Sequence, residues 1–208
     1  MADFENRIDA LTGFGTGTGT DQADITDWLV AGARAVVDVL SPTKLQRIAS
    51  TTVFENTIDV EGKKVIAVMR KDENNSSKLM PCRQISPALK GRVTDSSYME
   101  AASSSDPAYW VDGDTLQVFP TSASTNDMSL VNIDLSFSGL TYDDTSITNF
   151  PDEAENAVVL FAARNALEKR ISDANVAEDV ELVSGLTAQY QVIDAQYKEQ
   201  IQILQGSL

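Results

Sequence analysis

Apolar positions recur at helical spacing near both ends of the chain and at strand spacing in its middle. Residues 3–11 place Phe4, Ile8 and Leu11 at intervals of four and three, which predicts one face of a short helix. Residues 24–40 carry a longer apolar stripe that stops before a Ser-Pro pair, and a further short helical piece is expected after it. The first 50 residues are therefore predicted to be helical.

A second long helix is predicted from residue 151 to residue 171, within "NFPDEAENAVVLFAARNALEKR". Pro151 suits the first helical position, and acidic residues in the first turn and basic residues at the far end match the helix dipole. The middle of the helix is apolar on all sides, so it must be covered by more than one neighbour. Phe161 lies in that middle and is expected to be buried in a packed core, where its change to alanine costs ~3 to 5 kcal/mol.

A third long helix is predicted over residues 176–204. Two columns of a heptad pattern run along it: Val176, Val183, Tyr190, Tyr197 and Leu204 in the first, and Leu186 and Ile193 in the second. Asp179 and Gln200 interrupt the second column, which favours a helix packed on the helices 24–40 and 151–171 over a free coiled coil. The ends of the chain would then form one bundle.

Residues 51–150 have the alternation and composition of strands. One hairpin is predicted around Glu61-Gly62 and a second around Asp112-Gly113, while Pro81 confines its strand to an edge or bulge. The predicted fold class is α+β, a helical bundle with a β-rich insertion. The predicted divisions are 1–50, 51–150 and 151–208, the last completing the bundle and ending in a partner-binding tail.

Composition narrows the chemistry that the chain can perform. The 208 residues include no histidine and one cysteine, which removes the serine triad, thiolate zinc sites and most other metal sites. The Gly/Thr run at 12–20 lacks the preceding strand and the Gly-Lys-Ser/Thr ending of a phosphate loop, so it is interpreted as a linker. No apolar run is long enough to span a bilayer, and no secretory signal is recognised. We expect no enzymatic activity, no cofactor, no metal and no membrane contact.

Charge is distributed unevenly along the chain. The net charge is -15, yet residues 62–92 hold eight basic and two acidic residues, a net charge of +6 that leaves -21 on the rest. Two interpretations stay open: lysines that protect the edges of a solvated hairpin, or a basic face that docks on an acidic surface of a second copy or a partner. The candidate binding residues of this segment are Lys63, Lys64, Arg70 and Lys71.

The order of the segments resembles a known family. "DITDWLVAGARAVVDVL" is followed by "DPAYWVDGDTLQVFP", then by "FPDEAENAVVLFAARNALEKR" and a long helix with tyrosines. This order is similar to that of the neck proteins of tailed bacteriophages, the head–tail connectors or adaptors beneath the portal. The acidic start followed by an apolar, alanine-rich helix is the most telling segment.

The resemblance implies a virion protein, made in the host cytoplasm, that forms a homo-oligomeric ring, usually dodecameric. The ring would bind the portal protein above and tail or nozzle proteins below, and DNA would pass its lumen without sequence-specific binding. In related adaptors the C-terminal segment grips the portal, which makes Ile201, Ile203, Leu204 and Leu208 the candidate anchors.

Two alternatives stay open. One is another virion part, a tail-completion or tail-terminator protein. The other is a carboxylate-dependent enzyme or metal-binding protein that uses two acidic pairs, Asp112 with Asp114 and Asp143 with Asp144.

Overall fold

A computed structural model describes residues 2–13, 21–72, 78–122 and 127–206. The chain forms two compact units. The helical unit combines residues 1–48 with residues 136–208, and the β unit consists of residues 49–135. The predicted α+β class, with helices from both ends of the chain and strands between them, is confirmed.

Among the described residues, five helices build the helical unit. They are α1 (Phe4–Thr12), α2 (Asp21–Val39), α3 (Pro42–Ile48), α5 (Asp152–Val176) and α6 (Val180–Gln205), with α4 belonging to the β unit. Helix α5 lies at the centre, in contact with α1, α2 and α6. The prediction that this helix needs cover on more than one side is confirmed.

Small side chains explain how three helices can approach α5. Ala154, Ala157, Ala162 and Ala163 are all fully buried, and they alternate with larger buried residues of the same helix. Phe161, in contrast, is half-buried, so the expectation of a fully buried ring was wrong. Its ring packs edge-on against Tyr197 of α6, with the ring centroids 5.9 Å apart.

The heptad prediction for the last helix holds in its second half and fails at its start. Leu186, Ile193 and Leu204 are buried, whereas Val176 is 84% exposed. Val176 ends α5, and a turn separates it from α6. Asp179 caps α6 by accepting a hydrogen bond from the backbone N–H of Leu182 at 3.1 Å, so this residue begins a helix and does not interrupt one.

The β unit contains eight strands in two four-stranded sheets. The first sheet has the order β1-β8-β3-β4, with β1 (Ser50–Phe54), β8 (Met128–Asp134), β3 (Lys63–Lys71) and β4 (Leu79–Pro81). The second has the order β2-β7-β6-β5, with β2 (Thr57–Asp59), β7 (Thr115–Phe119), β6 (Ala108–Asp112) and β5 (Arg83–Gln84). One apolar core joins them, and its buried members are Phe54, Val60, Val68, Tyr109, Leu116, Val118, Met128 and Leu130. A 3-10 helix (Pro87–Leu89) and α4 (Lys90–Thr94) follow β5.

The two predicted hairpins have different outcomes. Strands β6 and β7 pair around the Asp112-Gly113 turn, as predicted, and Gly113 has a φ of 61° there. The hairpin at Glu61-Gly62 was a wrong prediction, because β2 pairs with β7 in one sheet while β3 pairs with β8 in the other. The turn carries the chain between sheets.

The β unit is shorter than the predicted span of 51–150. Residues 136–150 group with the helices, and hydrogen bonds explain why. The backbone N–H of Phe4 donates to the carbonyl of Asp144 at 2.9 Å. The buried carboxylate of Glu155 accepts a 2.6 Å bond from the N–H of Ile147, and Arg7 lies 3.9 Å from the same carboxylate. This segment is therefore fastened to α1 and α5.

Candidate functional site

The four predicted tail anchors have different surroundings. Leu204 is fully buried in the helical unit, so in the subunit its side chain is not available to a partner. Ile201 is half-buried, Ile203 is 40% exposed, and Leu208 lies outside the described residues. Gly206 has a φ of 75° and ends α6 through N–H bonds to the last turn. Ile203 is the anchor candidate with the most accessible side chain.

The predicted basic residues do not form one exposed face. Lys63 donates to the carbonyl of Asp59 at 2.9 Å, and Lys71 lies 3.7 Å from Asp127. Lys64 is half-buried. Arg70 is only 1% exposed, because side chains two residues apart share a face of a strand and Arg70 follows the buried Val68 on the inner face of β3. Arg70 therefore cannot belong to a docking surface of the folded subunit.

Burial also decides the chemistry of the single cysteine. Desolvation raises the pKa of the Cys82 thiol to about 12, although the nearby positive charge of Arg70 acts in the opposite direction. Because the thiolate is the reactive form, Cys82 is a poor nucleophile at neutral pH.

The two acidic pairs lie in or beside turns. Asp112 and Asp114 are exposed at the β6–β7 turn. The hydroxyl of Thr141 donates to Asp143 at 2.5 Å, and its N–H donates to Asp144 at 2.8 Å. Across the described ranges, no group of three or more potential ligands is placed to hold a metal ion.

A pocket of about 390 Å³ opens between helices of the helical unit. Ile8 of α1 with Ile25 and Trp28 of α2 form its apolar wall, and Leu182 of α6 closes one side. The rim is polar, with Asp173 and two basic residues of α5, of which Lys169 forms an ion pair with Asp24 of α2. The sequence alone shows no sign of this pocket, because its wall combines residues that are far apart in the chain.

Exposed apolar side chains gather beside the pocket, in the acidic turn (residues 173–182) that joins α5 to α6. Val176, Val180 and Leu182 are 84%, 78% and 45% exposed. Four acidic residues share the turn, and the sequence has no lysine or arginine from residue 171 to residue 197. The turn is thus apolar and negatively charged at once.

Further along α5 and α6, side chains of the two helices stack on each other and form an ion pair. The guanidinium of Arg164 lies 5.0 Å from the ring centroids of both Phe161 and Tyr197, and 3.5 Å from Asp194. A hydrogen bond from Lys198, reinforced by both positive charges, lowers the pKa of Asp194. Burial raises the pKa of Tyr197. These contacts hold α5 and α6 together.

The β unit presents one conspicuous loop, the Met99 loop (residues 95–106). Met99 is fully exposed and Tyr98 is 49% exposed. The loop is internally bonded: the carboxylate of Asp95 accepts from the hydroxyl of Ser97 at 2.6 Å and from the N–H of Ser97 at 2.9 Å, and these two hydrogen bonds lower the pKa of Asp95. The one signal of this loop in the sequence is the adjacent Tyr98-Met99 pair among serines and acids.

Comparison with models of known protein families finds no match to this chain, and comparison with curated proteins finds none either. No helix within the described ranges is long and apolar enough to cross a membrane. The Gly/Thr run interpreted as a linker falls largely outside the described residues, which resume at residue 21.

Proposed function

We propose that the protein is a structural head–tail connector of a tailed bacteriophage, a subunit of a ring that lies beneath the portal and continues the DNA channel to the tail. In this proposal the subunit has no catalytic task. Its partners are other copies of itself, the portal protein and downstream tail proteins.

The observation that carries the proposal is the arrangement around α5. An acid-capped, alanine-rich helix lies at the centre of a unit assembled from both ends of the chain, with the β unit inserted between them. This is the segment order on which the resemblance to neck adaptors rests. Exposed apolar groups at the acidic turn and at Met99 support a subunit that is completed by neighbours.

The excess of acidic residues suits a conduit for DNA. With a net charge of -15, an assembled ring would carry many negative charges, which repel phosphates and oppose sticking of the passing duplex. Because residues 62–92 carry a net charge of +6 and the rest of the chain -21, basic surface of one subunit would at the same time attract acidic surface of the next.

The decisive experiment is imaging of the purified protein, alone and mixed with the portal protein of the same phage. Negative-stain or cryo-electron microscopy should show closed rings that stack on the portal. A six-fold ring that binds the tail tube and ignores the portal would favour the tail-completion or tail-terminator alternative. A compact monomer that binds neither would contradict the proposal.

Deletion of residues 205–208 tests the tail as the portal contact. Leu204 stays in place, so the subunit is expected to fold with unchanged helicity by circular dichroism. Portal binding should weaken, because the deletion removes the end of α6 and Leu208. Ile203→Asp is a second variant, aimed at the exposed apolar group of the last turn. Unchanged portal affinity in both variants would assign the contact to another segment.

A further inference from the structure

We infer that strand β1 (Ser50–Phe54) binds the β1 strand of a second copy of the same chain, antiparallel and across a two-fold axis at Thr52. The inference goes beyond the proposed connector function and does not depend on it. It rests on the position of β1 at the end of a sheet, on the direction of its backbone groups and on the poor quality of the other sheet edges.

Strand β1 is an open edge of the β unit. In the sheet order β1-β8-β3-β4 it pairs with β8 alone, and its register is unbroken from Ser50 to Phe54. The first four residues of the strand are exposed. The strand has no charged residue and no proline, which are common means by which native edges avoid a second strand. Among the described residues, only β8 bonds to the backbone of Thr51 and Val53.

The ladder shows which backbone groups of β1 are left without a strand partner. The N–H of Lys71 in β3 donates to the carbonyl of Asp127 at 2.8 Å, so every second residue of β8 from this point faces β3. The residues between them face β1, and Leu130 is one of these, opposite Thr52. The backbone of Thr52 therefore bonds to β8, and the N–H and C=O groups of the residues on either side of Thr52 point away from the sheet.

These outward groups fit the same strand of a second copy. With Thr52 on the two-fold axis, Thr51 of each copy lies opposite Val53 of the other, and the two residues exchange both N–H···O=C bonds. The two Thr52 side chains meet as a cross-strand Thr–Thr pair, which is favourable. No charges meet, because Glu55 lies opposite Ala49 in this register. The two four-stranded sheets then join into one continuous sheet.

The other edges of the two sheets are poorer partners. Strand β4 has three residues, and its Pro81 has no N–H to donate. Strand β2 also has three residues and ends in the charged Asp59, while β5 has two. Among the strands in the described ranges, β1 is thus the longest edge and the one without charge or proline. Its best complement within the chain is another β1, which is why we commit to a second copy.

Symmetry and size define what this contact does. It is isologous, so it joins two chains and then closes. It is therefore not one of the head-to-tail contacts of a cyclic ring, and it would join two free chains or two rings face to face. A pair of five-residue strands buries less surface than a standard interface, so the association should be weak and dependent on protein concentration.

An intermolecular disulfide at Thr52 tests the pairing directly. Opposite residues of a non-hydrogen-bonded pair have Cα atoms about 4.5 Å apart, within the span of a disulfide. Thr52→Cys should therefore give covalent dimers with oxidised glutathione, and the wild-type chain should give none because Cys82 is poorly reactive. Val53→Cys is the matched control. Its two copies would lie roughly 8 Å apart, too far for a disulfide, and should give about 10-fold less dimer.

Charge reversal at Thr52 provides a second measurement. Thr52→Lys and Thr52→Glu each change an exposed side chain, so both variants should fold with unchanged circular dichroism. Each places like charges opposite each other, and self-association by analytical ultracentrifugation should weaken about 5-fold or more. Mixing the two variants should restore dimers, because opposite charges then meet across the axis. The same two changes at Val192, which is 56% exposed on α6, are the matched control and should leave association unchanged.

The outcomes separate this inference from the proposed function. Rings on the portal, formed by a chain that gives no Thr52→Cys dimer and no response to charge at Thr52, would overturn the contact and leave the connector proposal standing. Thr52→Cys dimers from a chain that never binds the portal would support the contact and contradict the connector proposal. Efficient disulfides from Val53→Cys alone would overturn the pairing about Thr52. Protection of Thr52→Cys from a maleimide dye only when portal is added would assign the edge to the portal and overturn the inference.

Discussion

The ring of Phe161 packs against Gly32 of α2, where a larger residue would crowd it. A Cβ added at Gly32 of α2 would lie 3.0 Å from Phe161 Cδ1, closer than most real Cβ contacts, so the ring would have to shift by a few tenths of an ångström. Because Phe161 is half-buried, its change to alanine should lower the free energy of unfolding by about 2 kcal/mol, less than for a fully buried ring. Gly32→Ala should be less costly when Phe161 is already alanine, and urea unfolding of both single variants and the double variant measures this coupling.

Gly185 of α6 is the matched control for Gly32. Nothing lies within 4 Å of a Cβ added there. Gly185→Ala should therefore raise the free energy of unfolding by about 0.5 to 1 kcal/mol through helix propensity alone. Equal effects at the two glycines would contradict the close contact between α2 and Phe161.

The pH dependence of stability should include a contribution from Asp194. Its pKa is lowered in the folded protein, chiefly by the hydrogen bond from Lys198. The stabilisation is therefore present above the unfolded pKa and is lost as the pH falls through the folded pKa. Asp194→Asn should reduce the difference in unfolding free energy between neutral and acidic buffer. The effect should be small because Lys198 is largely exposed. An identical acid dependence in both proteins would argue against this ion pair.

At the scale of elements, alanine sets the spacing of the helices around α5. Ala163 is fully buried, so Ala163→Leu should force neighbouring helices apart and destabilise the helical unit by about 1 to 3 kcal/mol. Ala188→Leu on the exposed face of α6 adds the same atoms where space is open, and it should be close to neutral. Thermal unfolding of the two variants compares them. A neutral Ala163→Leu would mean that the packing around α5 is loose.

Local patterns predicted the elements better than their pairing. Apolar spacing located α1, α2 and α6, because each of these helices buries a face whose period is visible in the sequence. Helix α5 was located by its charged ends and its continuous apolar middle. The turn at Glu61-Gly62 could not be told from a hairpin, because the same turn residues serve a chain that crosses between sheets. Partner choice is decided by long-range contacts such as those of β8, which pairs with both β1 and β3.

Surfaces were the least predictable part of the whole molecule. Arg70 was predicted to lie on a basic surface, but it is buried on the inner face of β3. Leu204 was predicted to bind a partner, but it is buried in the helical unit. The exposure of Met99 was not predicted, because the exposure of a side chain depends on how the rest of the chain packs around it. The sequence supports a statement about net charge, whereas a binding surface requires the fold.

Substitution of the two aspartates at the β6–β7 turn tests whether the whole assembly depends on their carboxylates. Asp112→Asn together with Asp114→Asn changes exposed side chains at the β6–β7 turn, whose geometry depends on Gly113. Ring assembly and phage infectivity should stay largely intact, measured by microscopy and by complementation. Loss of infectivity in a variant that folds and assembles normally would favour the carboxylate-dependent alternative.

The pairing of β1 with β8 has a consequence for the order in which the chain folds. Ser50 lies opposite Asn132, so the two ends of the β unit lie side by side. Contacts of α1 and α2 with α5 are distant in sequence, and closing so long a loop is entropically unfavourable. Once β1 and β8 have paired, the same contacts span only short connections. If the β unit folds first, it therefore lowers the entropic cost of bringing α1 and α2 to α5, and the helical unit should fold faster.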